Sequence, residues 1–302
     1  MAKLIQWFPG HMKKAMRDME EKRALCDGVI CVLDSRAPIA TYNPKLQEIF
    51  AGKPVLYVLN KSDLSDGKSE KFAAMIEAQG KPCVAISAVN GASRRVLEKR
   101  LQILTKEKRE RAESKGVTRR FRYTVVGIPN TGKSTVVNLL GGAKRAKTGD
   151  IAGVTRDVRW IKCADFDLLD TPGTMPPSCK TQYLARHLAY IGSLNDDILD
   201  IADVALELLK ELKANYPAAL QERYGIDCGG NNAETDKTAD EEERTREAVE
   251  MLETACRRRG FILRGGEFDY ERGARAVIDD FRKGRLGKIC LENPSDFADV
   301  KF

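Results

Sequence analysis

The sequence predicts an α/β fold, with a parallel-rich sheet flanked by helices and a smaller all-α region after it. Five short runs of β-branched and apolar residues each lead into a polar or glycine-containing loop, and helix-like stretches separate several of them. After Pro176 and Pro177 these strand signals stop, and apolar residues recur at helical spacing. The chain has 302 residues, of which 42% are hydrophobic, so two ordinary domains with a sizeable core are expected.

The first part of the chain alternates strands and helices. The predicted strands are 29–33, 55–59, 83–86, 123–126 and 166–169. The predicted helices are 12–25, 70–79 and 134–140. The basic stretch 94–122 carries apolar residues at helical spacing, so we expect it to begin with a helix that ends at a flexible joint at 114–116.

The second part carries three amphipathic stripes. The second stripe ends at Gly260, a residue type that commonly terminates helices, and the third follows Asp269, a candidate N-cap. We therefore expect two domains, an α/β domain over 1–178 and a helical C-terminal domain over 179–302.

Composition excludes several classes. No apolar run approaches the ~18 residues that a membrane-spanning helix needs, and the N-terminus resembles neither a signal nor a transit peptide, so a cytoplasmic protein is expected. None of the eight cysteines falls in a C-x-x-C pair, which favours reduced thiols and gives no sign of a zinc site. The net charge of +7 is compatible with a polyanionic partner and equally with an ordinary solvated surface.

Residues 127–134 match the pattern G-x-x-x-x-G-K-[ST], with a predicted strand before and a predicted helix after. In this pattern, backbone N–H groups and the helix N-terminus cradle phosphates, Lys133 reaches the β and γ phosphates, and the Ser134 hydroxyl ligates Mg²⁺. The alternative is a glycine-rich turn that happens to precede Lys-Ser. The candidate phosphate-binding residues are Asn130, Thr131, Gly132, Lys133, Ser134 and Thr135.

Two further segments bear on the phosphates. Asp170 begins a D-x-x-G sequence at the end of its strand, where it would hold Mg²⁺ while the Gly173 N–H senses the γ-phosphate. Thr155 lies between the two motifs and is a candidate switch residue that binds Mg²⁺ in the triphosphate state. The alternative for Thr155 alone is an ordinary loop threonine, and the neighbouring motifs favour the switch residue.

The sequence Asn60-Lys61-Ser62-Asp63 follows the second predicted strand. The Asp63 carboxylate can accept two hydrogen bonds from guanine, whereas adenine has no such donor pair, and this favours GTP over ATP. The Lys61 stem can cover the base, and Asn60 can tie loops together. Ser87-Ala88 after the third strand is a candidate contact for guanine O6. The alternative for 60–63 is a polar β-turn.

These motifs are those of a P-loop GTPase, but N-K-x-D precedes the P-loop, as in circularly permuted GTPases. Together with residues 6–12, 34–38, 265–267 and 286–288, the chain resembles the ribosome biogenesis GTPase A family over nearly its whole length. The resemblance implies a permuted P-loop GTPase fold and a factor for late assembly of the large (50S) ribosomal subunit. GTP or GDP, Mg²⁺, ribosomal RNA and pre-ribosomal particles would be its ligands. Mitochondrial relatives share the motifs, so a mitochondrial-type ribosome assembly GTPase is an alternative.

Catalysis lacks one common residue, because Thr174 stands where many GTPases have a water-orienting glutamine. The resemblance places the N-terminal F-P-G-H-M near the nucleotide, so His11 is the candidate for positioning water. A structural histidine packed near Trp7 is the alternative. Asn130 matches the position that helps to bind K⁺ in potassium-stimulated GTPases, although it could merely close the loop.

The C-terminal region is rich in arginine and lysine interleaved with aromatic residues, which suggests an RNA-binding surface or ordinary solvated helix faces. Two other functions stay open: a GTP-sensing RNA-binding scaffold with negligible hydrolysis, and a P-loop ATPase or kinase. Sequence leaves the oligomeric state unknown. The basic residues are Arg257, Arg258, Arg259, Arg264, Arg272, Arg275, Arg282, Lys283, Arg285 and Lys288.

Overall fold

The structure, a computed structural model, describes residues 10–142, 159–176, 179, 181–228 and 240–302, and gives the backbone alone for 10–13. A six-stranded sheet has the spatial order β3-β2-β1-β4-β6-β5. All neighbours pair in parallel except β5, which runs antiparallel to β6. The strands are β1 Gly28–Asp34, β2 Val55–Asn60, β3 Cys83–Ala85, β4 Phe121–Val126, β5 Arg159–Lys162 and β6 Phe166–Asp170.

The helices of the described ranges flank the sheet and then form the C-terminal region. They are α1 Gly10–Lys22, α2 Pro44–Ile49, α3 Lys68–Ala78, α4 Ser93–Leu104, α5 Lys106–Glu113, α6 Lys133–Gly141, α7 Gln182–Tyr190, α8 Ile201–Asn215, α9 Pro217–Tyr224, α10 Glu241–Arg259 and α11 Tyr270–Arg282. Side-chain caps fix several starts: Thr181 caps α7, Asp240 caps α10 and Asp269 caps α11. Gly260, with φ +68°, ends α10 as its sequence position predicts.

Two apolar clusters cover the two faces of the sheet. One joins Val32 and its neighbours to α4 and α6 through residues such as Leu97 and Val136. The other joins the opposite face to α3 and continues through α7 and α8 to Phe281 of α11. Because this second cluster contains residues from both sides of position 178, the helical region packs directly on the α/β part, and the domain boundary stays a prediction.

The α/β class and all five predicted strands are confirmed. The edge strand β5 was not predicted, because three of its four residues are exposed and its sequence R-W-I-K lacks an apolar run. The single helix expected before the joint at 114–116 is wrong: the structure has two helices there, α4 and α5, separated at Thr105. The Thr105 hydroxyl bonds Leu101 O at 3.0 Å and contacts the Tyr123 hydroxyl, so this residue is held by the strand rather than by a continuous helix.

All eight cysteines are free thiols, and six are buried. In the described residues, no helix is long and apolar enough to cross a membrane.

Candidate functional site

The candidate site lies at the carboxyl edge of the parallel strands. Residues 127–132 connect β4 to α6, Asn60 ends β2, and Asp170 ends β6. Loops that follow parallel strands meet at one edge of a sheet, which brings sequence-distant motifs together.

The loop 127–132 depends on glycine at two close approaches. Gly127 has φ +149°, and a Cβ there would collide with Val32 O. Gly132 has φ +87°, and a Cβ there would collide with the Asn60 amide. The backbone therefore packs against β1 and β2 at distances that only glycine allows.

Asn60 ties two loops to each other. Its Nδ2 donates to Thr131 O at 2.9 Å, and its Oδ1 accepts from the Ala88 N–H at 3.0 Å. The Ser87 carbonyl in turn accepts from the Ser93 hydroxyl at 2.8 Å. The phosphate loop and the candidate base-contacting loop thus share one buried amide.

Lys61 crosses from the base-selecting sequence to the phosphate loop. Its Nζ donates to Asn130 O at 2.6 Å and lies 2.9 Å from Asp34 Oδ2. Both Lys61 and Asn130 have left-handed backbone, with φ +61°. Asp63 is exposed in a 3-10 turn, Ser62–Leu64, where its carboxylate faces solvent.

Lys133 and Asp170 carry buried charges at the centre of the site. Lys133 Nζ donates to Ile128 O at 2.7 Å, and burial lowers its pKa to about 8, against the opposing effect of Asp170. Asp170 is fully buried, and burial raises its pKa, while Lys133 and Arg159 act to lower it. Within the described ranges, neither Asp170 carboxylate oxygen has a hydrogen-bond partner. A buried carboxylate that accepts no hydrogen bond there, and that has the Arg159 Nε 3.8 Å from its Oδ2, fits a cation ligand.

Gly173 and Thr174 lie against the phosphate loop. A Cβ at Gly173 would lie 2.8 Å from Pro129 N and 3.0 Å from Lys133 Nζ. The Thr174 N–H donates to Gly127 O at 3.2 Å, and its carbonyl accepts from Asn43 Nδ2 at 3.0 Å. Thr174 is fully buried, so the position after D-x-x-G holds the loop in place.

The sequence did not reveal that the phosphate loop contacts the helical region. Asn130 Nδ2 donates to Gly192 O, and the Ser193 hydroxyl donates to Pro129 O at 2.7 Å. Both partners follow α7, more than 60 residues along the chain from the phosphate loop, and no local pattern marks them.

A buried ion pair links the base-selecting loop to α11. Asp34 receives a two-point contact from the Arg36 guanidinium, at 3.0 and 2.9 Å, in addition to the Lys61 ammonium. Arg36 also donates to Phe281 O at 3.4 Å and to Arg282 O at 3.1 Å, at the C-terminal end of α11. These charged groups hold the pKa of Asp34 below its usual range despite burial, which acts to raise it. The signal available in the sequence was that Asp34 ends a strand at the same sheet edge.

Two candidate residues fall outside this description. The side chain of His11 and all of Thr155 lie outside the described atoms, so their roles stay predictions. Ser134 and Thr135 lie in the first turn of α6 and are partly exposed at the site.

The P-loop on β4, the shared Asn60 amide and the Asp170 carboxylate define a P-loop GTPase whose N-K-x-D motif precedes its phosphate loop. A family profile described as "50S ribosome-binding GTPase" matches residues 122–226. The Ribosome biogenesis GTPase A of Bacillus cereus is 37% identical over 299 residues, 98% of this chain and 96% of the relative. The protein of the same name from Thermotoga maritima is 28% identical over 302 residues, 98% of this chain and 97% of the relative.

Solved structures agree with this assignment. The GNP-bound YlqF from T. maritima matches with a TM-score of 0.62 and 26% identity, covering 93% of this chain and 98% of that one. A GDP-bound YlqF structure matches with a TM-score of 0.62 and 25% identity, covering 93% of this chain and all of the other. The chain belongs to the ribosome biogenesis GTPase A family.

Proposed function

We propose that this GTPase binds and hydrolyses GTP in the cytoplasm during late assembly of the large (50S) ribosomal subunit. The observation that carries the nucleotide part is the Asn60 amide, which joins the phosphate loop at Thr131 to the base-contacting loop at Ala88. The identity to named ribosome biogenesis GTPases supports the ribosomal part.

The residues of the nucleotide site have separate roles in GTP binding and in hydrolysis. Backbone N–H groups of the P-loop and the α6 N-terminus bind the phosphates, and Lys133 offsets charge on the β and γ groups. Ser134 and Asp170 would hold Mg²⁺, with Thr155 as the predicted further ligand, and the bound ion would supply further charge neutralisation. The Gly173 N–H faces the γ-phosphate, and Asp63 binds the guanine edge. His11 positions the attacking water in place of a glutamine.

Two sets of hydrogen bonds and ion pairs connect the nucleotide site to the helical region, so the bound nucleotide can influence that region. One is the pair of hydrogen bonds from Asn130 and Ser193 between the P-loop and the segment after α7. The other runs from Asn130 O through Lys61 and Asp34 to Arg36, which donates to the Arg282 carbonyl at the end of α11. A loop change driven by the γ-phosphate would alter these contacts, so binding to a pre-ribosomal particle depends on the nucleotide.

The helical region supplies an RNA-binding surface smaller than its sequence suggests. Arg259 and Arg285 bind the buried Asp280 carboxylate, and Arg282 binds Asp196. Arg259 joins α10 to α11, Arg282 joins α11 to α7, and Arg285 binds at the C-terminal end of α11 itself. The basic residues on exposed positions outside this network are Arg257, Arg258, Arg264, Arg272, Arg275, Lys283 and Lys288.

The test is the GTP hydrolysis rate with purified large ribosomal subunits, with small subunits as the matched control. We expect large subunits, but not small subunits, to stimulate GTP hydrolysis. We also expect the protein to co-sediment with large subunits more tightly when a GTP analogue is bound than when GDP is bound. Clear GTP binding without stimulation by either subunit would contradict the proposed activation and favour a GTP-sensing scaffold. Equal competition by ATP would contradict the assignment of Asp63 to guanine.

Hydrolysis is expected to be faster in K⁺ than in Na⁺. Asn130 is held at the P-loop by its amide contact to Gly192 O, a position from which it can help to bind a cation beside the β and γ phosphates. The measurement is the rate at equal ionic strength in KCl and NaCl, for the natural protein and for Asn130→Ala. Equal rates in both salts for the natural protein would rule this out.

A further inference from the structure

A cationic cleft lies at the amino ends of β1, β4 and β6. Its volume is about 410 Å³. The residues lining it are Leu25, Asp27, Arg119, Arg120, Arg122 and Asp167. The nucleotide loops follow the carboxyl ends of these strands, and a six-residue strand spans about 20 Å. GTP binding therefore leaves this cleft unused.

Positive charge exceeds negative charge here. Arg119 lies 2.6 Å from Asp27, and Arg120 lies 3.1 Å from Asp167. Lys53 and Lys108 donate to the carbonyls of Cys26 and Asp27 at 2.6 and 2.7 Å, which brings two ammonium groups to the same edge. The lining itself carries three arginines and two carboxylates, which leaves a net charge of +1, and the two lysines add positive charge beside it.

An aromatic platform adjoins the arginines. Trp160 on the edge strand β5 is 40% exposed, and the Arg122 guanidinium lies 5.3 Å from its ring centre. The lining of the cleft also includes Leu25, which is 47% exposed. Exposed aromatic rings beside arginines bind unpaired bases by stacking, while the guanidinium groups bind phosphate oxygens.

We propose that this cleft is a second RNA-binding surface, which takes the sugar-phosphate backbone of a single-stranded or looped segment and stacks one base on Trp160. It rests on the proposed function only in that RNA is the partner. A helical duplex fits less well, because its bases are already stacked and paired and cannot reach the ring. The two RNA surfaces would lie on different parts of the protein, one on the sheet edge and one on the C-terminal helices.

The test compares three variants by fluorescence anisotropy with a labelled single-stranded RNA oligonucleotide at several salt concentrations. Arg119→Gln combined with Arg122→Gln removes two charges, and Trp160→Ala removes the platform. Arg120 is left in place because it bonds the carbonyls of Cys163, Ala164 and Phe166 and so holds the β5–β6 turn. The control, Arg95→Gln with Lys99→Gln, removes the same charge from exposed positions on α4.

We expect Trp160→Ala to weaken RNA binding about tenfold. The double arginine variant should lower the slope of log affinity against log salt by about 1.4, since each phosphate contact to a single strand contributes about 0.7. GTP affinity should stay unchanged in both variants, and this result would show that they are folded. The α4 control should have the same slope of log affinity against log salt concentration as the natural protein.

The outcomes separate this inference from the proposed function. If both cleft variants bind RNA with the affinity and salt dependence of the natural protein, and large subunits still stimulate hydrolysis, the proposed RNA-binding role of the cleft is wrong. The proposed function would then still stand. Loss of binding to large subunits with unchanged binding to free RNA would also overturn the RNA-binding role of the cleft, in favour of an acidic protein partner. Absence of ribosomal stimulation in the natural protein would contradict the proposed function, whatever the cleft variants do.

Discussion

Lys133→Ala is expected to lower the GTP hydrolysis rate by about 10²–10³-fold, the loss typical of removing one preorganised group that stabilises transition-state charge. The Lys133 ammonium is buried, donates to Ile128 O at 2.7 Å and would lie 3.0 Å from a Cβ at Gly173. It therefore stands between the phosphate loop and the residue assigned to the γ-phosphate. Single-turnover hydrolysis with saturating GTP measures the chemical step, and titration with a labelled GDP analogue measures binding separately.

The fold should survive this substitution. Burial already disfavours the charged form of Lys133, since it lowers the pKa to about 8, so removing the ammonium removes a desolvation cost together with one hydrogen bond. Lys71→Ala, at an exposed position on α3, is the matched control and should hydrolyse GTP at the natural rate. A folded Lys133→Ala protein with an undiminished rate would remove Lys133 from the mechanism.

Local motifs were predictable from the sequence because their geometry is local. The P-loop needs glycine where the backbone approaches Val32 and Asn60, and a strand and a helix must flank it, so its residues are fixed by spacing. Asn60 was predictable as a loop tie for the same reason: a short amide at the end of a strand reaches the neighbouring loops at this edge.

Long-range contacts were not predictable. No local pattern predicts that Arg36 is buried, yet it is almost fully buried because it satisfies Asp34 and the C-terminal carbonyls of α11, nearly 250 residues away. Similarly, Arg259 and Arg285 read as parts of a basic surface until the structure pairs them with Asp280. A charge pattern alone does not separate a charge that faces solvent from one that satisfies a buried partner.

A buried charge network joins α7 and α8 to the C-terminal segment. Its disruption is expected to cause a large loss of folding stability. The His187 ring, fully buried, contacts Glu211 through Nε2 at 2.9 Å and Glu292 through Nδ1 at 3.1 Å. Glu292 also accepts hydrogen bonds from the N–H groups of Ile39 and Ala40, in the loop after Arg36. Burial acts to lower the His187 pKa, but the hydrogen bonds and charges of the two glutamates outweigh it and raise the pKa to about 9.

His187→Gln is expected to remove most of the contribution that protonated His187 makes to stability. The folded pKa of about 9 lies above the ordinary value of 6.5, so this contribution is fully present below about pH 6.5 and is lost as pH rises through about 9. At about 1.4 kcal/mol per pKa unit, the free energy of unfolding should fall by about 3 kcal/mol at pH 6, and by much less above pH 9.5. Urea unfolding across this pH range measures both proteins.

The difference between the two proteins isolates His187 from other titrations. Burial raises the pKa of the thiols of Cys31, Cys83 and Cys290 to about 12, so stability also falls in alkali as the unfolded thiols ionise, but this effect is common to both proteins and cancels. A stability difference that stays constant from pH 6 to pH 10 would show that the variant lost packing or hydrogen bonds and not a charge. A difference that shrinks as pH passes 9 requires a protonated imidazole between the two glutamates in the folded protein.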